Sequence, residues 1–353
     1  MIRSHIVSQE PDRTPGDAGG EAAPDGKPLG PHERALVEPR ARLERLDAVA
    51  EAYVDEQRPA NTRRAYAEAW RLWEDYTRDA GIPQLSGTVG ALVGFVRWME
   101  TTKQAAPSTV EARLAGAVAG LRRQRVPVDR QATRAAWQAL RAYERRLADA
   151  GVVRGRGKAT PITLEQLRAL VRACPDSSAG RRDRALLLIG FTIAARRSEL
   201  AGLHVEQLTA DGSNGLVAAL GYTKTGPDER PIPHGAHRDT CPVRAWQDWC
   251  AAAGITEGPA FRRIDRHDHV FEAGLSAQAV GEIVTRCGER AELPFRITGH
   301  SLRAGLATEA RRHGADHKAV CDQGGWTYGS KAVHGYFHTV DRWTENPINN
   351  IGL

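Results

Sequence analysis

Long apolar runs and closely spaced cysteines are scarce in this 353-residue chain. No stretch of 18 apolar residues and no apolar N-terminal segment occurs, so the sequence predicts neither a membrane span nor a secretion signal. Its five cysteines are an odd number, and none form a Cys-x-x-Cys pair, which argues against a disulfide scaffold. We therefore expect a cytoplasmic protein with reduced cysteines and no membrane partner.

Basic residues exceed acidic ones, 49 against 43, and the net charge is +6. This excess favours a polyanionic partner such as nucleic acid. The length suffices for two domains with separate cores. Residues 1–40 are rich in glycine, proline and acidic residues and poor in large apolar ones. They predict a disordered arm, because little apolar burial could offset the entropy lost on ordering.

Residues 41–150 carry the apolar periodicity of helices, which predicts a helical bundle. The periodic segments are residues 43–53, 61–81, 92–99, 108–121 and 137–147. Asn61 resembles an N-cap, and Ser108 with Glu111 resembles a capping box. Residues 151–162 mix glycine with Arg154, Arg156 and Lys158, which predicts a basic linker ahead of a new cap at Thr163 with Gln166.

The second half of the chain places charged residues at the ends of apolar segments. The apolar run from Asp183 to Ala195 is too long for a strand and predicts a buried helix that ends at Arg196 and Glu199. Charges at the end of a core helix are costly unless they are paired or face a bound anion. Residues 216–220 and 230–233 predict a β hairpin with Lys224 near its tip.

Two further helices carry polar residues of interest. His300 and Arg303 are three residues apart and share one face of a predicted helix that ends near Gly314. Gly324-Gly325-Trp326 precedes a predicted helix from Ser330 to Val340, which holds Tyr336 beside a buried face. Tyr328 lies nearer to Trp326, but it stands among Thr327, Gly329 and Ser330, which favour a turn.

Residues 160–350 resemble the catalytic domain of the tyrosine recombinase (phage integrase) family. The motifs that carry the resemblance are Arg196-Arg197-Ser198-Glu199-Leu200, Thr223-Lys224-Thr225, Gly299-His300-Ser301-Leu302-Arg303, and Gly324-Gly325-Trp326-Thr327 followed by Tyr336. Ala194-Ala195 stand where Gly-Leu is common in the family. Asn61–Tyr66 and Ser108–Val110 resemble, more loosely, the helical core-binding domain that precedes this catalytic domain.

The resemblance implies a mainly α fold with a small β hairpin or sheet. Its domains would be a disordered arm (1–40), a helical core-binding domain (41–150), a basic linker (151–162) and the catalytic domain with a C-terminal tail (163–353). The apolar residues of that tail predict docking on a neighbouring protomer.

The resemblance also implies a role for each site residue. Tyr336 would be the nucleophile that forms a 3′-phosphotyrosyl link and releases a 5′-hydroxyl, Arg196 and Arg303 would clamp the phosphate, and Lys224 would be the general acid. His300 would accept or relay the tyrosine proton, Trp326 would donate its indole N–H to the phosphate, and Glu199 would orient its neighbours. Two guanidinium groups suit this task, since their planar donors match the phosphate oxygens.

The expected function is site-specific recombination for integration, excision or resolution of a mobile element, by a homotetramer on double-stranded DNA. No cofactor or metal is expected, because the covalent intermediate conserves the phosphodiester linkage. The predicted DNA-binding residues are Arg63, Arg64, Arg122, Arg123, Arg154, Arg156 and Lys158. A type IB topoisomerase and a DNA-binding relative without catalysis are the alternatives.

Overall fold

The computed structural model describes residues 31–351, apart from residues 156, 158, 224 and 225. The chain divides into two compact units, Met1–Gly155 and Arg156–Leu353. The division falls inside the segment 151–162 that was predicted to be a linker. Among the described residues, no helix is both long enough and apolar enough to cross a membrane.

Residues 31–155, the part of the first unit that the structure describes, form five α-helices. They are α1 (Pro31–Glu56), α2 (Ala60–Asp79), α3 (Val89–Thr101), α4 (Pro107–Arg123) and α5 (Arg130–Asp149). Helix α1 begins at Pro31, so residues 31–40, which were predicted to belong to a disordered arm, are helical. Proline suits the first position of a helix, and the glutamate, arginine, alanine and leucine that follow have high helix propensity.

Aromatic packing forms the centre of the first unit. Trp73 and Phe95 are completely buried, and their ring centroids lie 5.3 Å apart in an edge-to-face contact. The capping box predicted at Ser108 and Glu111 was wrong, since α4 is capped at Ala106 without a side-chain bond. Proline at residue 107 takes the first helical position and starts the helix one residue before Ser108.

The cap predicted at Asn61 was also wrong, because α2 begins at Ala60 after Pro59, which makes no side-chain cap. Asn61 lies within the first turn and accepts a hydrogen bond from Arg64 at 3.0 Å. The helix therefore starts without the side-chain oxygen that a residue such as asparagine supplies to an N-cap.

In the second unit, the described residues form eight α-helices and two small antiparallel sheets. The helices are α6 (Leu164–Arg172), α7 (Ser178–Thr192), α8 (Arg197–Gly202), α9 (Pro242–Ala253), α10 (Ala277–Arg290), α11 (Gly299–Arg312), α12 (His317–Gly324) and α13 (Lys331–Thr344). The strands are β1 (Leu208–Asp211), β2 (Gly215–Thr223), β3 (Gly226–Pro233), β4 (Arg262–Ile264) and β5 (Val270–Gly274). The first sheet has the order β1-β2-β3, and β4 pairs with β5.

Two local predictions for this unit are confirmed. Thr163 and Gln166 form the predicted capping box at the start of α6. Strands β2 and β3 form the predicted hairpin, with Leu216 opposite Ile232. The strands β1, β4 and β5 were not predicted, because they are short and lack a clear alternation of apolar residues.

Helix α7 is the central helix of the second unit. It is buried from Ala185 to Phe191, as its apolar run predicted, but it begins at Ser178, five residues before the predicted start. The Ser177 side chain caps it by accepting a hydrogen bond from Gly180 N–H. Helix α7 packs against α9 and α11, which brings the residues after its C-terminal end close to α11.

Candidate active site

Arg303 joins the end of α7 to the end of α12. The residue is 5% exposed, and its Nη1 donates to the carbonyl of Ala194 and, at 2.7 Å, to the carbonyl of Gly324. Its Nη2 is buried and has no hydrogen-bond partner among the described residues. Such an unpaired buried donor is uncommon, since native proteins pair nearly all of them. The Nη2 group of Arg303 is therefore available to a ligand.

The surroundings of Arg303 are cationic and aromatic. Burial, followed by the positive charge of Arg196, lowers its pKa to about 10, so the guanidinium is still charged at neutral pH. Its Cζ lies 3.9 Å from the ring centroid of Trp326, which is a close cation–π contact. The ring thus covers one face of the guanidinium and holds it in place.

Arg196 is fixed by Glu199. Arg196 caps α8, its backbone N–H donates to Glu199 Oε2 at 2.7 Å, and its Nη1 pairs with Glu199 Oε1. The Arg196 side chain is nevertheless 48% exposed, so it can contact a ligand. One carboxylate therefore fixes both the backbone and the side chain of this arginine.

His300 lies in the first turn of α11, and its side chain is only partly exposed. Partial burial, then the positive charges of Arg197, Arg303 and Arg196, hold its pKa below the ordinary value. The imidazole is therefore mainly neutral at neutral pH and able to accept a proton. Arg197, which sequence reasoning did not single out, packs against Gly299, where a Cβ would come within 2.5 Å of its Cγ.

Tyr336 is held in α13 by buried neighbours. Val333 and Phe337 on the same helix are 0% and 2% exposed, and Tyr336 itself is half-buried. Its ring meets the Trp326 ring edge-to-face, with centroids 6.0 Å apart. Trp326 therefore lies between the guanidinium of Arg303 and the ring of Tyr336. Tyr328, in contrast, is 67% exposed in the turn between α12 and α13.

Ion pairs anchor α13 to α11. Arg311 Nε donates to Asp341 Oδ1 at 2.9 Å, and its Nη2 pairs with Glu345. His317 lies 2.9 Å from the other Asp341 oxygen. The side chains of His317, Asp341 and Glu345 lie close enough together to bind a metal ion, but Arg311 already supplies a cation to both carboxylates. The cluster instead fixes the helix of Tyr336 to the helix of Arg303.

Lys224, Arg156 and Lys158 lie outside the described residues. Strand β2 ends at Thr223 and β3 begins at Gly226, and these two residues pair with each other. The structure thus brings together Arg196, Glu199, His300, Arg303, Trp326 and Tyr336 from the predicted set, around the ends of α7 and α12.

Arg230 on β3 is a site residue that sequence reasoning missed. It is 0% exposed, and it lies against Gly325, where a Cβ would overlap Nη2 of Arg230. Its Nη1 also lies 3.6 Å from Glu199 Oε2. The strand alternation offered a signal, because Asp228, Arg230 and the apolar Ile232 share one face of β3.

The predicted DNA-binding residues of the first unit divide into two groups. Arg63, Arg64, Arg122 and Arg123 are exposed, and a recess of about 300 Å³ is lined by Arg63 and Arg123 together with Tyr66 and Trp70. Arg154 is half-buried, and its Nη1 donates to Glu100 O at 2.7 Å and to Tyr143 Oη at 2.8 Å. The Arg154 guanidinium is thus engaged within its own unit.

Residues 161–342 match the model of the phage integrase family. An integrase/recombinase xerD homolog from Selenomonas ruminantium is 30% identical over 319 residues, which cover 87% of this chain and 90% of the relative. The chain belongs to the phage integrase family. It is therefore a tyrosine recombinase, an enzyme of site-specific DNA recombination, and the topoisomerase alternative is not favoured.

Other relatives agree with this membership. The tyrosine recombinase XerC of Pseudomonas entomophila (strain L48) is 35% identical to this recombinase over 166 residues, which cover 45% of this chain and 50% of the relative. A lambda integrase tetramer bound to a Holliday junction has a TM-score of 0.54 at 12% identity, covering 82% of this chain and 75% of that one. The Tn1549 transposon integrase in complex with transposon right end DNA has a TM-score of 0.53 at 15% identity, covering 80% and 90%. At these identities the two structures confirm the predicted fold class, mainly α with small sheets.

Proposed function

We propose that this recombinase cleaves DNA by attack of Tyr336 on a backbone phosphate that Arg196 and Arg303 hold. The Tyr336 Oη–phosphorus bond forms while the bond from phosphorus to the 5′-oxygen breaks. The products are a 3′-phosphotyrosyl link and a free 5′-hydroxyl, and attack by a 5′-hydroxyl on the link rejoins a strand. The observation that carries this proposal is the unpaired buried donor of Arg303 beside Trp326 and Tyr336.

The unpaired donor favours an anionic ligand. A buried donor without an acceptor costs about 1–3 kcal/mol, and a phosphate oxygen would remove that cost. The positive charge of Arg196 also lowers the pKa of Arg303, so the two cations destabilise each other without an anion between them. A phosphodiester gains negative charge in the transition state, and the same two guanidinium groups then bind it most strongly.

Proton transfers follow from the remaining residues. Neutral His300 accepts the proton that Tyr336 loses on attack, which its lowered pKa supports. Lys224 remains our proposed general acid for the departing 5′-oxygen, and donation of the Trp326 indole N–H to the phosphate remains a prediction. The stacking of the Trp326 ring on Arg303 supports a further role, in which it orients the guanidinium.

The first unit is proposed to be the core-binding domain, with Arg63, Arg64, Arg122 and Arg123 against DNA phosphates. Such contacts set affinity and its salt dependence more than the choice of sequence. We propose a homotetramer on two paired DNA duplexes. The tail supports a contact with a second copy, since Trp343, Ile348 and Ile351 are 69%, 50% and 63% exposed. DNA as substrate and five free cysteines support a cytoplasmic location.

The test is covalent capture of DNA. The wild-type protein is incubated with sheared genomic DNA of its source, and the fragments that stay attached after denaturation are sequenced to give the target site. A duplex with that site and a nick close to it then traps the adduct. The short fragment that carries the new 5′-hydroxyl diffuses away, so the strand cannot be rejoined. Tyr336→Phe should bind this duplex and form no adduct, whereas Tyr328→Phe should form it normally. An adduct that persists in Tyr336→Phe would place the nucleophile elsewhere.

A further inference from the structure

We propose that Arg230 is a positioning residue of the recombinase site, which sets the place of Arg196 and of the turn that carries Trp326. The proposal rests on the function proposed above. Arg230 would not touch DNA, since it is 0% exposed. It acts through the segments that its guanidinium holds together.

Every nitrogen of the Arg230 guanidinium has a protein acceptor. Nε and Nη2 donate to the two Asp228 oxygens at 2.8 and 2.6 Å, and Nη1 donates to the carbonyl of Ile193 at 2.7 Å. The fork to Asp228 fixes the plane of the guanidinium, because two parallel bonds allow only one orientation. Strand β3 is thereby bonded to the chain segment that follows α7.

Arg230 and Arg303 hold the same two segments in adjacent places. Arg303 donates to the carbonyls of Ala194 and Gly324, whereas Arg230 donates to Ile193 and contacts Gly325. The two arginines differ in whether a guanidinium nitrogen remains without an acceptor. Arg303 keeps Nη2 without an acceptor among the described residues, while Arg230 has none to spare. We therefore assign phosphate binding to Arg303 and positioning to Arg230.

Glu199 connects Arg230 to Arg196. One Glu199 oxygen, Oε2, accepts from the Arg196 backbone N–H at 2.7 Å and lies 3.6 Å from Arg230 Nη1, while Oε1 pairs with the Arg196 side chain. The buried cation of Arg230 thus holds the carboxylate that orients Arg196. A shift of Glu199 would move the Arg196 guanidinium away from the phosphate.

Gln323 adds a second bond between the same elements. Its Nε2 donates to the carbonyls of Thr192 and Pro231, both at 2.8 Å. The end of α12 is therefore bonded to α7 and to β3, two residues before Gly325, which Arg230 contacts. Since Trp326 directly follows Gly325, the position of its ring over Arg303 depends on this contact.

The test compares Arg230→Lys with a matched control, Arg182→Lys. Arg182 is also a buried arginine of the second unit: it is 4% exposed, it bonds Asp183 through Nε and Nη2 at 3.0 and 2.6 Å, and its Nη1 donates to Arg262 O at 3.1 Å. It lies near the start of α7, while Arg230 bonds the residue after its end. A lysine in either place keeps the charge and loses the fork.

We expect both variants to lose thermal stability, and only Arg230→Lys to lose cleavage rate per folded molecule. A displacement of about 1 Å in the site costs roughly 100-fold in rate, so that is the expected loss in single-turnover cleavage of the nicked duplex at saturating protein. Affinity for the same duplex should stay near that of the wild type. Equal cleavage rates in the two lysine variants would overturn the proposal.

A double-mutant cycle separates positioning from general weakening. If Arg230 acts through Arg196, Arg196→Lys combined with Arg230→Lys should slow cleavage less than the product of the two single effects. Arg196→Lys combined with Arg182→Lys should slow cleavage by the two single factors multiplied together. If the single effects multiply in both combinations, the coupling between Arg230 and Arg196 is refuted.

If Arg230→Lys folds poorly, a second variant, Arg230→Met with Asp228→Leu, takes its place. It replaces both members of the charged pair with apolar side chains, a change that is often neutral for stability, and it should still cleave roughly 100-fold more slowly. Absence of an adduct with the wild-type protein would count against the proposed function itself. A normal wild-type adduct with full cleavage in the double variant would count against Arg230 alone.

Discussion

Gly325→Ala should destabilise the second unit far more than Gly254→Ala. The two glycines are C-caps with nearly the same backbone: Gly325 has φ 59° and ψ 42°, and Gly254 has φ 61° and ψ 35°. A left-handed alanine costs about 1–2 kcal/mol in either place. A Cβ at residue 254 would meet nothing within 4 Å, whereas one at residue 325 would overlap the Arg230 guanidinium.

The added cost comes from that overlap. An extra methyl group in a packed core costs about 1–3 kcal/mol, and loss of the pairing between Arg230 and Asp228 would add to it. We therefore expect Gly325→Ala to lose at least about 1 kcal/mol more than Gly254→Ala. Both glycines lie in the second unit, so its urea unfolding can be followed for both variants by the same tryptophan fluorescence. Equal losses of unfolding free energy in the two variants would show that the Arg230 side chain can move aside without cost, and would refute the argument.

Two other predictions concern residues next to Arg196 and Arg303, the proposed phosphate-binding residues. Ala194 has φ +46°, a strained value for alanine, so Ala194→Gly should raise the free energy of unfolding by about 0.5–1 kcal/mol in urea titrations, and a loss of stability would contradict that reading. Arg197 helps to lower the pKa of His300, and His300, the proposed base, becomes protonated as pH falls through that pKa. Arg197→Met should therefore move the acid limb of the kcat/KM profile for cleavage to higher pH, while Arg290→Met, on α10, should leave it in place. An acid limb that does not move in Arg197→Met would show that Arg197 does not set the protonation of His300.

The sequence was sufficient for the elements whose signal is local. The apolar run of α7, the Thr163 cap and the hairpin of β2 and β3 each depend on residues close together in the chain, and the structure has all three. The Ser108 cap failed because two local signals competed, and proline at residue 107 fixed the start of α4. Helix α7 begins five residues before the predicted start, because the Ser177 cap lies ahead of the apolar run.

The sequence could not supply the partners of the charged residues. Strand alternation places Arg230 on the same face as Ile232, but it does not show what packs there, and the complete burial of Arg230 depends on Ile193 and Gly325, which are distant in sequence. Likewise, the order of motifs indicated that Arg303 and Trp326 belong to one site, but not that the indole ring stacks on the guanidinium. Tertiary packing decides such contacts, and periodicity does not encode them.

The unpaired Nη2 of Arg303 has a practical consequence for handling this recombinase. Sulfate and inorganic phosphate offer oxygens of the same geometry as a DNA backbone, and ligands that bind only the folded state stabilise it by mass action. Buffers made from these salts should therefore protect the protein during storage and slow it during turnover. Preparations destined for kinetics are better kept in chloride or acetate.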